Sequence, residues 1–249
     1  MIPKIIHYCW FGGGPLPELA EQCINSWKKF CPDYEIICWD ESNYDVTKNI
    51  YMKEAYDAKK WGFVPDYARL DIVYNYGGIY MDTDVELLKP LDDLLDCNAY
   101  MGVEQPGIVA LGLGFGAEKG NPLILELLEE YKDKRFIIEG KPDLTPAPKY
   151  QKPLFDKYGI SENKMYEIQD GCFVYPLEHF CPFDLETGRL HITENTYSIH
   201  RYAASWANKG SVIRGKIYRF LNRHFGKKTA DWVKMLKHKI CSVLDSEKR

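Results

Sequence analysis

The sequence has no C-x-x-C pair among its eight cysteines, no internal repeat, no low-complexity tract, and no apolar run approaching the roughly eighteen residues that cross a bilayer. The first absence argues against zinc and dithiol chemistry, which need closely spaced thiols. Most of the cysteines sit in apolar stretches such as IICW, where a thiol behaves as a small hydrophobe. A reducing cytosol is the expected setting. No segment is compositionally biased, and the 45% apolar content speaks for a globular rather than a disordered chain. Without a long apolar run no transmembrane anchor is expected, and because MIPKIIHYCW leads straight into strand-like sequence, no signal peptide is expected either.

What is present is a chain of 249 residues with 45% apolar content, enough to bury one large core, alone or with an appendage. Its net charge of −4 is unevenly spread. Arg201 to Arg249 carries 13 Lys and Arg against 3 Asp and Glu, a charge of +10, which leaves −14 on residues 1–200. An acidic body therefore precedes a basic tail.

KIIHYCWF (4–11) reads as a buried strand and Gly12-Gly13-Gly14-Pro15 as the loop after it. Leu19, Cys23, Trp27 and Phe30 recur at helical spacing, and YEIICWD (34–40) is a second strand. A helix is expected over roughly 47–60, and another opens at Pro65 and closes at Gly77-Gly78 before the strand IYMD. LDDLL reads as a short helix, NAYMGVE as a strand, IVALGLGFGAE as a glycine-rich strand with a loop, and NPLILELLEEYKD (121–133) as a helix. Residues 140–165, rich in Pro, Lys and Tyr, read as irregular, and TYSIH (196–200) as a late strand running into RYAASW. The end of the chain alternates apolar and basic residues at helical spacing, as two helices broken near Gly226. This alternation predicts an α/β layer fold with a largely parallel central sheet over residues 1–210 and a helical extension over 211–249.

GGIYMDTDVE (77–86) sets two carboxylates, Asp82 and Asp84, directly after an apolar strand. Ligands of open parallel sheets gather at the carboxyl ends of strands, and residues i and i+2 of a strand share a face. Both carboxylates can then meet one hard cation, Mg²⁺ or Mn²⁺, which keeps positions for phosphate oxygens. For a bare D-x-D, a solvated acidic turn is the alternative. Against it stand the attachment to an apolar strand and the preceding helix PDYARLDIVYNYGG, which presents Asp66 and Arg69 at i and i+3. Two enzyme classes use such a pair. An aspartyl phosphatase uses hhhhDxDx[TV], which IYMDTDV fits, but it also needs a later acidic Gly-Asp motif for Mg²⁺, and no Gly-Asp dipeptide occurs. A nucleotide-sugar transferase uses both carboxylates to hold an ion that bridges the donor's diphosphate. A non-catalytic nucleotide-sugar-binding module is the reading outside enzymes.

IPKIIHYCWFGG, the run from PDYARLDIVYNYGGIYMDTDVE to KPLDDLL, and HRYAASW together resemble one family over roughly residues 1–207. It is the DXD-containing glycosyltransferase family of fungal initiating mannosyltransferases and bacterial capsular polysaccharide transferases. More distantly, the chain is similar to the glucosylating domain of large clostridial toxins. The resemblance implies a GT-A fold, Mn²⁺ or Mg²⁺, and retaining transfer of a hexose from a UDP- or GDP-sugar to a glycan or lipid-linked glycan, as in capsular or surface polysaccharide synthesis. It also implies roles. Trp10 stacks on the nucleotide base, and Asp66 and Arg69 bind the donor's hydroxyls and diphosphate. Tyr80 lines the donor pocket, Asp82 contacts ribose or metal, and Asp84 ligates the metal. His200, in the pattern H-x-x-x-x-S-W, completes the metal shell, while Ser205 and Trp206 hold the leaving diphosphate. Catalysis is expected to depend on Arg69, Asp82 and Asp84. From the residues alone, Trp10 is equally a core residue, Asp66 and Arg69 a helix-surface ion pair, His200 a structural histidine, and Gly112–Gly116 either a loop near the sugar or a tightly packed strand.

Phe220, Leu221, Phe225 and Trp232 among the cations of 211–249 suit an anionic membrane surface, where each nearby Lys or Arg contributes about 1 kcal/mol. A basic helix packed on the acidic body is the alternative. Nucleic acid is not an expected partner, because the body is acidic and no binding motif occurs. The expected location is cytoplasmic and peripheral at the inner face of the membrane.

Overall fold

The computed structural model describes residues 1–184, 186–203, 209–233 and 235. The chain divides into two compact units, one of residues 1–182 and 192–203, the other of 183–191 and 204–249. The first unit opens with β1 (Ile5–Cys9), α1 (Glu18–Phe30), β2 (Glu35–Trp39), α2 (Ile50–Asp57) and α3 (Pro65–Tyr76). It continues through β3 (Gly78–Tyr80), β4 (Val85–Leu87), β5 (Ala99–Gln105), β6 (Ile108–Val109), β7 (Phe115–Ala117) and α4 (Pro122–Glu129). Next come β8 (Ile137–Ile138), β9 (Lys141–Pro142), α5 (Ala147–Lys157), β10 (Tyr166–Gln169), β11 (Cys172–Tyr175), α6 (Leu177–Phe180) and β12 (Ser198–His200). The second unit holds α7 (Lys209–Phe225).

The central sheet runs in the order β10-β11-β5-β7-β3-β1-β2, with β6 beside β5. β1 pairs in parallel with β2 and β3, and β5 in parallel with β11, whereas β7 is antiparallel to both β3 and β5. Two antiparallel pairings in succession restore the direction. β2, β1, β3, β5 and β11 therefore all point the same way, and β7 and β10 oppose them. This is the mixed α/β fold with a largely parallel sheet that the strand and helix alternation predicts, and the carboxyl ends of β1 and β3 open on one edge.

Neighbouring residues on the strands enter different cores, as the pleat requires. Tyr80, Met101 and Phe115 join one apolar cluster with residues of α2, α3, α4 and α5, while Ile6, Ile79 and Tyr100 join another with Ile24, Trp27 and Phe180. The sheet is thus covered on both faces, which explains why its strands read as continuous apolar runs. The indole of Trp27 is wholly buried and donates to the Val85 carbonyl at 2.7 Å, tying α1 to β4. That bond helps fix the segment between β3 and β4, where the acidic pair lies.

Local chemistry sets the boundaries. Asn49 and Asn121 cap α2 and α4, each side chain accepting from two backbone N–H groups of the first turn. Pro65 opens α3, and Gly77, at φ +69°, closes it. A Cβ at Gly77 would stand 2.9 Å from the Lys119 nitrogen, so this turn requires glycine sterically as well.

Three expectations need correction. The helix expected over 47–60 is shorter, because the Asn49 cap delays its start to Ile50. Residues 140–165 are not irregular, since α5 occupies Ala147–Lys157 and buries Ala147, Gln151, Leu154 and Phe155. Its Pro148 lies in the first turn, where a missing N–H costs nothing, and only Pro153 interrupts the interior. Finally, the strand after Gly77 ends at Tyr80, so Asp82 and Asp84 lie in a turn rather than on a strand.

Candidate active site

Asp82 and Asp84 converge because the chain turns between them. The Val85 N–H donates to the Asp82 carbonyl at 3.0 Å, closing the turn that joins β3 to β4. β4 then pairs antiparallel with β12 in a register that sets His200 opposite Val85. This register brings a residue from far along the chain to the acidic turn. The His200 Nε2 lies 3.1 Å from Asp84 Oδ1, and the Ala203 N–H donates to Asp84 Oδ2 at 2.8 Å. The Arg201 N–H donates to the Asp84 backbone carbonyl, also at 2.8 Å. One ligand atom from each of Asp82, Asp84 and His200 lies within 4.8 Å of the others.

Burial works against charge on both Asp84 and His200, yet their mutual hydrogen bond and attraction prevail. Asp84 is held below the ordinary carboxylate value, helped by the Ala203 N–H, and His200 is raised above the ordinary imidazole value. The His200 Nδ1 is buried with no hydrogen-bond partner among the described residues.

Asp82 is held differently. Its Oδ1 accepts from the Tyr80 hydroxyl at 3.0 Å and faces Arg69 Nη1 at 3.6 Å. Its backbone N–H donates to the Gly112 carbonyl at 3.3 Å. A Cβ at Gly112 would stand 2.3 Å from Asp82 Oδ2 and 3.2 Å from Arg69 Nη1. Glycine at 112 therefore leaves the room that Asp82 occupies, an instance of close approach rather than of backbone freedom. Of the two readings of Gly112–Gly116, both hold in part: Gly112 touches the site, while Gly116 packs in the sheet, where a Cβ would meet Tyr100 at 2.6 Å.

Arg69 and Asp66 do not form a surface pair. They are 6% and 5% exposed and joined at 2.8 Å, and Arg69 Nε also donates to the Pro65 carbonyl at 3.0 Å. The guanidinium lies 5.1 Å from the centre of the Tyr80 ring. Burial, partly offset by Arg69 and reinforced by the nearby Asp82 charge, pushes Asp66 up to about 6. The Tyr51 hydroxyl, a partner the sequence did not suggest, donates to Asp66 Oδ2 at 3.3 Å.

Trp10 follows β1 and is half-buried, its indole donating to the Gly14 carbonyl at 2.6 Å. Gly12 in that loop, at φ +95°, is pressed by the Trp61 ring, which would stand 2.8 Å from a Cβ. Packing on Trp61 thus accounts for this glycine. Ser205 and Trp206 lie outside the described residues. Tyr202 was missed from sequence: it stands at φ +50°, its ring edge-on to His200 at 4.2 Å between centroids, with its hydroxyl 3.0 Å from Cys181 Sγ.

Two carboxylates and an imidazole in one reach of 4.8 Å form a donor set of hard oxygens with one nitrogen, which fits a divalent ion such as Mn²⁺ or Mg²⁺. For such an ion to bind Nε2 of His200, the Asp84 to His200 hydrogen bond must open and Nε2 must give up its proton.

Known proteins resemble the chain in sequence across part of this region. Residues 17–101 match the model of the glycosyltransferase sugar-binding region containing DXD motif. The match includes Asp66, Arg69, Tyr80, Asp82 and Asp84. The chain is 35% identical over 136 residues to inositol phosphoceramide mannosyltransferase 3 of Schizosaccharomyces pombe, covering 51% of this chain and 36% of that protein. It is 26% identical over 181 residues to inositol phosphoceramide mannosyltransferase 1 of the same yeast, covering 67% and 55%. The chain thus spans between about a third and about half of the length of these curated relatives. Among solved structures, it is similar to a glycosyltransferase involved in the glycosylation of the major capsid of PBCV-1, with a TM-score of 0.47 at 11% identity over 87% of this chain and 98% of that one.

Proposed function

We propose that this protein is a retaining, metal-dependent glycosyltransferase that moves a hexose from a UDP- or GDP-sugar to a glycan or lipid-linked glycan. The observation that carries the reading is the convergence of Asp82, Asp84 and His200 at the carboxyl end of β3, inside and beside the matched DXD region. Asp82, Asp84 and His200 would hold a divalent ion, which would supply Lewis-acid chemistry toward the diphosphate of the donor. Arg69, fixed by Asp66 and Pro65, offers positive charge at the same place, and its rigid support means that little reorganisation is needed as negative charge grows on the leaving group. Trp10 offers a half-buried aromatic face for the base, and Tyr80 orients Asp82. Ser205 and Trp206 are assigned to the leaving diphosphate by resemblance.

Asp82 and Asp84, as ligands of such an ion, would not serve as nucleophiles, and attack on the face of the departing phosphate would retain configuration. In this route the acceptor hydroxyl loses its proton to the leaving phosphate oxygen, so no side chain is needed as base. The S. pombe relatives are named for mannosyl transfer to inositol phosphoceramide, which supports a hexose donor and an acceptor on a lipid. Capsular or surface polysaccharide synthesis by a cytoplasmic enzyme at the inner face of a membrane is the setting we assign. A thermal-shift panel of UDP- and GDP-sugars with Mn²⁺ tests the proposal: one nucleotide sugar should raise the midpoint of the wild type and leave the Asp82→Ala/Asp84→Ala variant unchanged. Hydrolysis of p-nitrophenyl phosphate without nucleotide-sugar turnover would instead favour the phosphatase.

A further inference from the structure

The second compact unit packs with an unusual polarity. A helix on a globular protein normally buries its apolar stripe and exposes its charges. In α7 the side that meets residues 186–188 is polar: Asn222 donates to the Glu186 carbonyl at 3.1 Å, and Arg223 donates to the carbonyls of Thr187 and Gly188 at 2.9 and 2.7 Å. Ile213, Ile217 and Phe220, at i, i+4 and i+7, form one stripe, and they are 57%, 52% and 57% exposed. At 100° per residue, Arg214 falls on one flank of this stripe and Lys216 and Arg223 on the other. After the break at Gly226, where φ is +82°, helix resumes and exposes Trp232 by 56%.

We propose that this face of α7 docks on the surface of an anionic phospholipid bilayer. Charge complementarity selects the occupant. The described residues of the unit carry eight Lys and Arg (Arg189, Lys209, Arg214, Lys216, Arg219, Arg223, Lys227 and Lys228) against three acids (Asp184, Glu186 and Asp231). Cations flanking an exposed apolar stripe are the pattern of a helix that lies in the interface, its Ile and Phe side chains among the acyl chains and its Lys and Arg among the phosphates. No helix among the described residues is long and apolar enough to span, so contact would be lateral. Beside Phe220, a pocket lined by Phe183, Gly188, Lys216, Arg219 and Arg223 presents three cations around a space open to solvent, suited to a lipid phosphate. A nucleic acid would use the cations but leave the aliphatic stripe in water. The inference stands apart from the transferase chemistry, since lipid binding needs neither donor nor metal.

Sedimentation of the full chain with phosphatidylglycerol-containing and pure phosphatidylcholine vesicles, without nucleotide sugar, tests it. The wild type is expected to favour the anionic vesicles by at least tenfold and to lose binding as salt rises. Ile217→Asp/Phe220→Asp, at exposed positions, should keep the thermal midpoint and reduce binding tenfold or more. Arg214→Glu/Lys216→Glu should reduce it on anionic vesicles only. Equal partitioning of wild type and the apolar-face variant would overturn the proposal. So would equal binding to neutral vesicles, displacement by RNA at matched charge, or a dimer in solution that the apolar-face variant dissociates.

Discussion

Around Asp82 and Asp84, each charge meets a counter-charge brought from another part of the chain. Arg69 of α3 faces Asp66 and Asp82, and His200 of β12 faces Asp84; Asp66 and Arg69 are buried, while Asp82, Asp84 and His200 are half-buried at the mouth of the site. Along α7 the opposite holds: cations line an exposed apolar face, and Asn222 and Arg223 reach only backbone carbonyls of residues 186–188, while Arg219 lies over the Phe183 ring and Tyr218 donates to Asp231. A cluster of buried charges is held in a fixed geometry, which suits binding a small, highly charged group and stabilising charge that develops there. A cation-rimmed apolar face has no fixed partner and suits a large, soft surface. The difference teaches that charge alone does not mark a candidate site; the long-range partners that fix it do.

This contrast can be broken at the buried end most severely. Arg69→Ala leaves Asp66 and Asp82 without their cation, and loss of one partner from a buried pair costs about 3–5 kcal/mol. Chemical denaturation should show that loss, with transfer activity lost in parallel; Arg69→Lys, keeping charge without the planar fork, should recover only part of either. A smaller effect follows from Gly112→Ala. The new Cβ displaces the Asp82 carboxylate without removing a ligand, so Mn²⁺ affinity should fall about 10–100-fold, the range for disturbed support of metal ligands. Titration with the metal reads it directly, and unchanged affinity would show that Asp82 is not a ligand.

The pH dependence of the metal-free protein is subtler still. Asp84 has a lowered pKa, so its share of stability is present above its unfolded value of 3.8 and is lost as pH falls through the folded value. His200 has a raised pKa, so its share is present below 6.5 and is lost as pH rises through the folded value. The pair thus contributes most between pH 3.8 and 6.5. In EDTA, wild type should exceed Asp84→Asn by about 2–4 °C in that window, the shift of about 1 kcal/mol in a chain of this size. The gap should narrow toward pH 8 and above, by about the same few degrees. At the exposed end, neutralising one α7 cation is expected to change stability by less than about 0.5 kcal/mol, read by chemical denaturation.

The same division separates what could be read from the sequence from what could not. Asp66, Arg69, Tyr80, Asp82 and Asp84 lie within one helix, strand and turn, so short spacings carry their relation. The places of β1, β2 and β3 along the chain followed from the apolar runs and glycines that bound them, while their order in the sheet did not. His200 could be assigned only through resemblance, because its position depends on the register of β4 against β12, a pairing that local spacing does not encode. The interior helix α5 was hidden by its prolines and by Gln151 on its buried face, which break the apolar period. Gly112 was visible as part of a glycine-rich run, but not as the residue that makes room for Asp82. For α7, the sequence showed two faces, while which of them the unit covers depended on the carbonyls of residues 186–188.

The most direct test of the central claim is a Mn²⁺ titration of wild type and Asp84→Ala, followed by nucleoside diphosphate release from the nucleotide sugar that binds. Wild type should bind one Mn²⁺ more tightly at pH 8 than at pH 6, because His200 must shed a proton, and should release the diphosphate only with metal. Asp84→Ala, folded by circular dichroism, should lose affinity and release by more than about 100-fold, beyond the effect of disturbing a supporting residue. Equal Mn²⁺ binding and equal release by the two proteins would contradict the account.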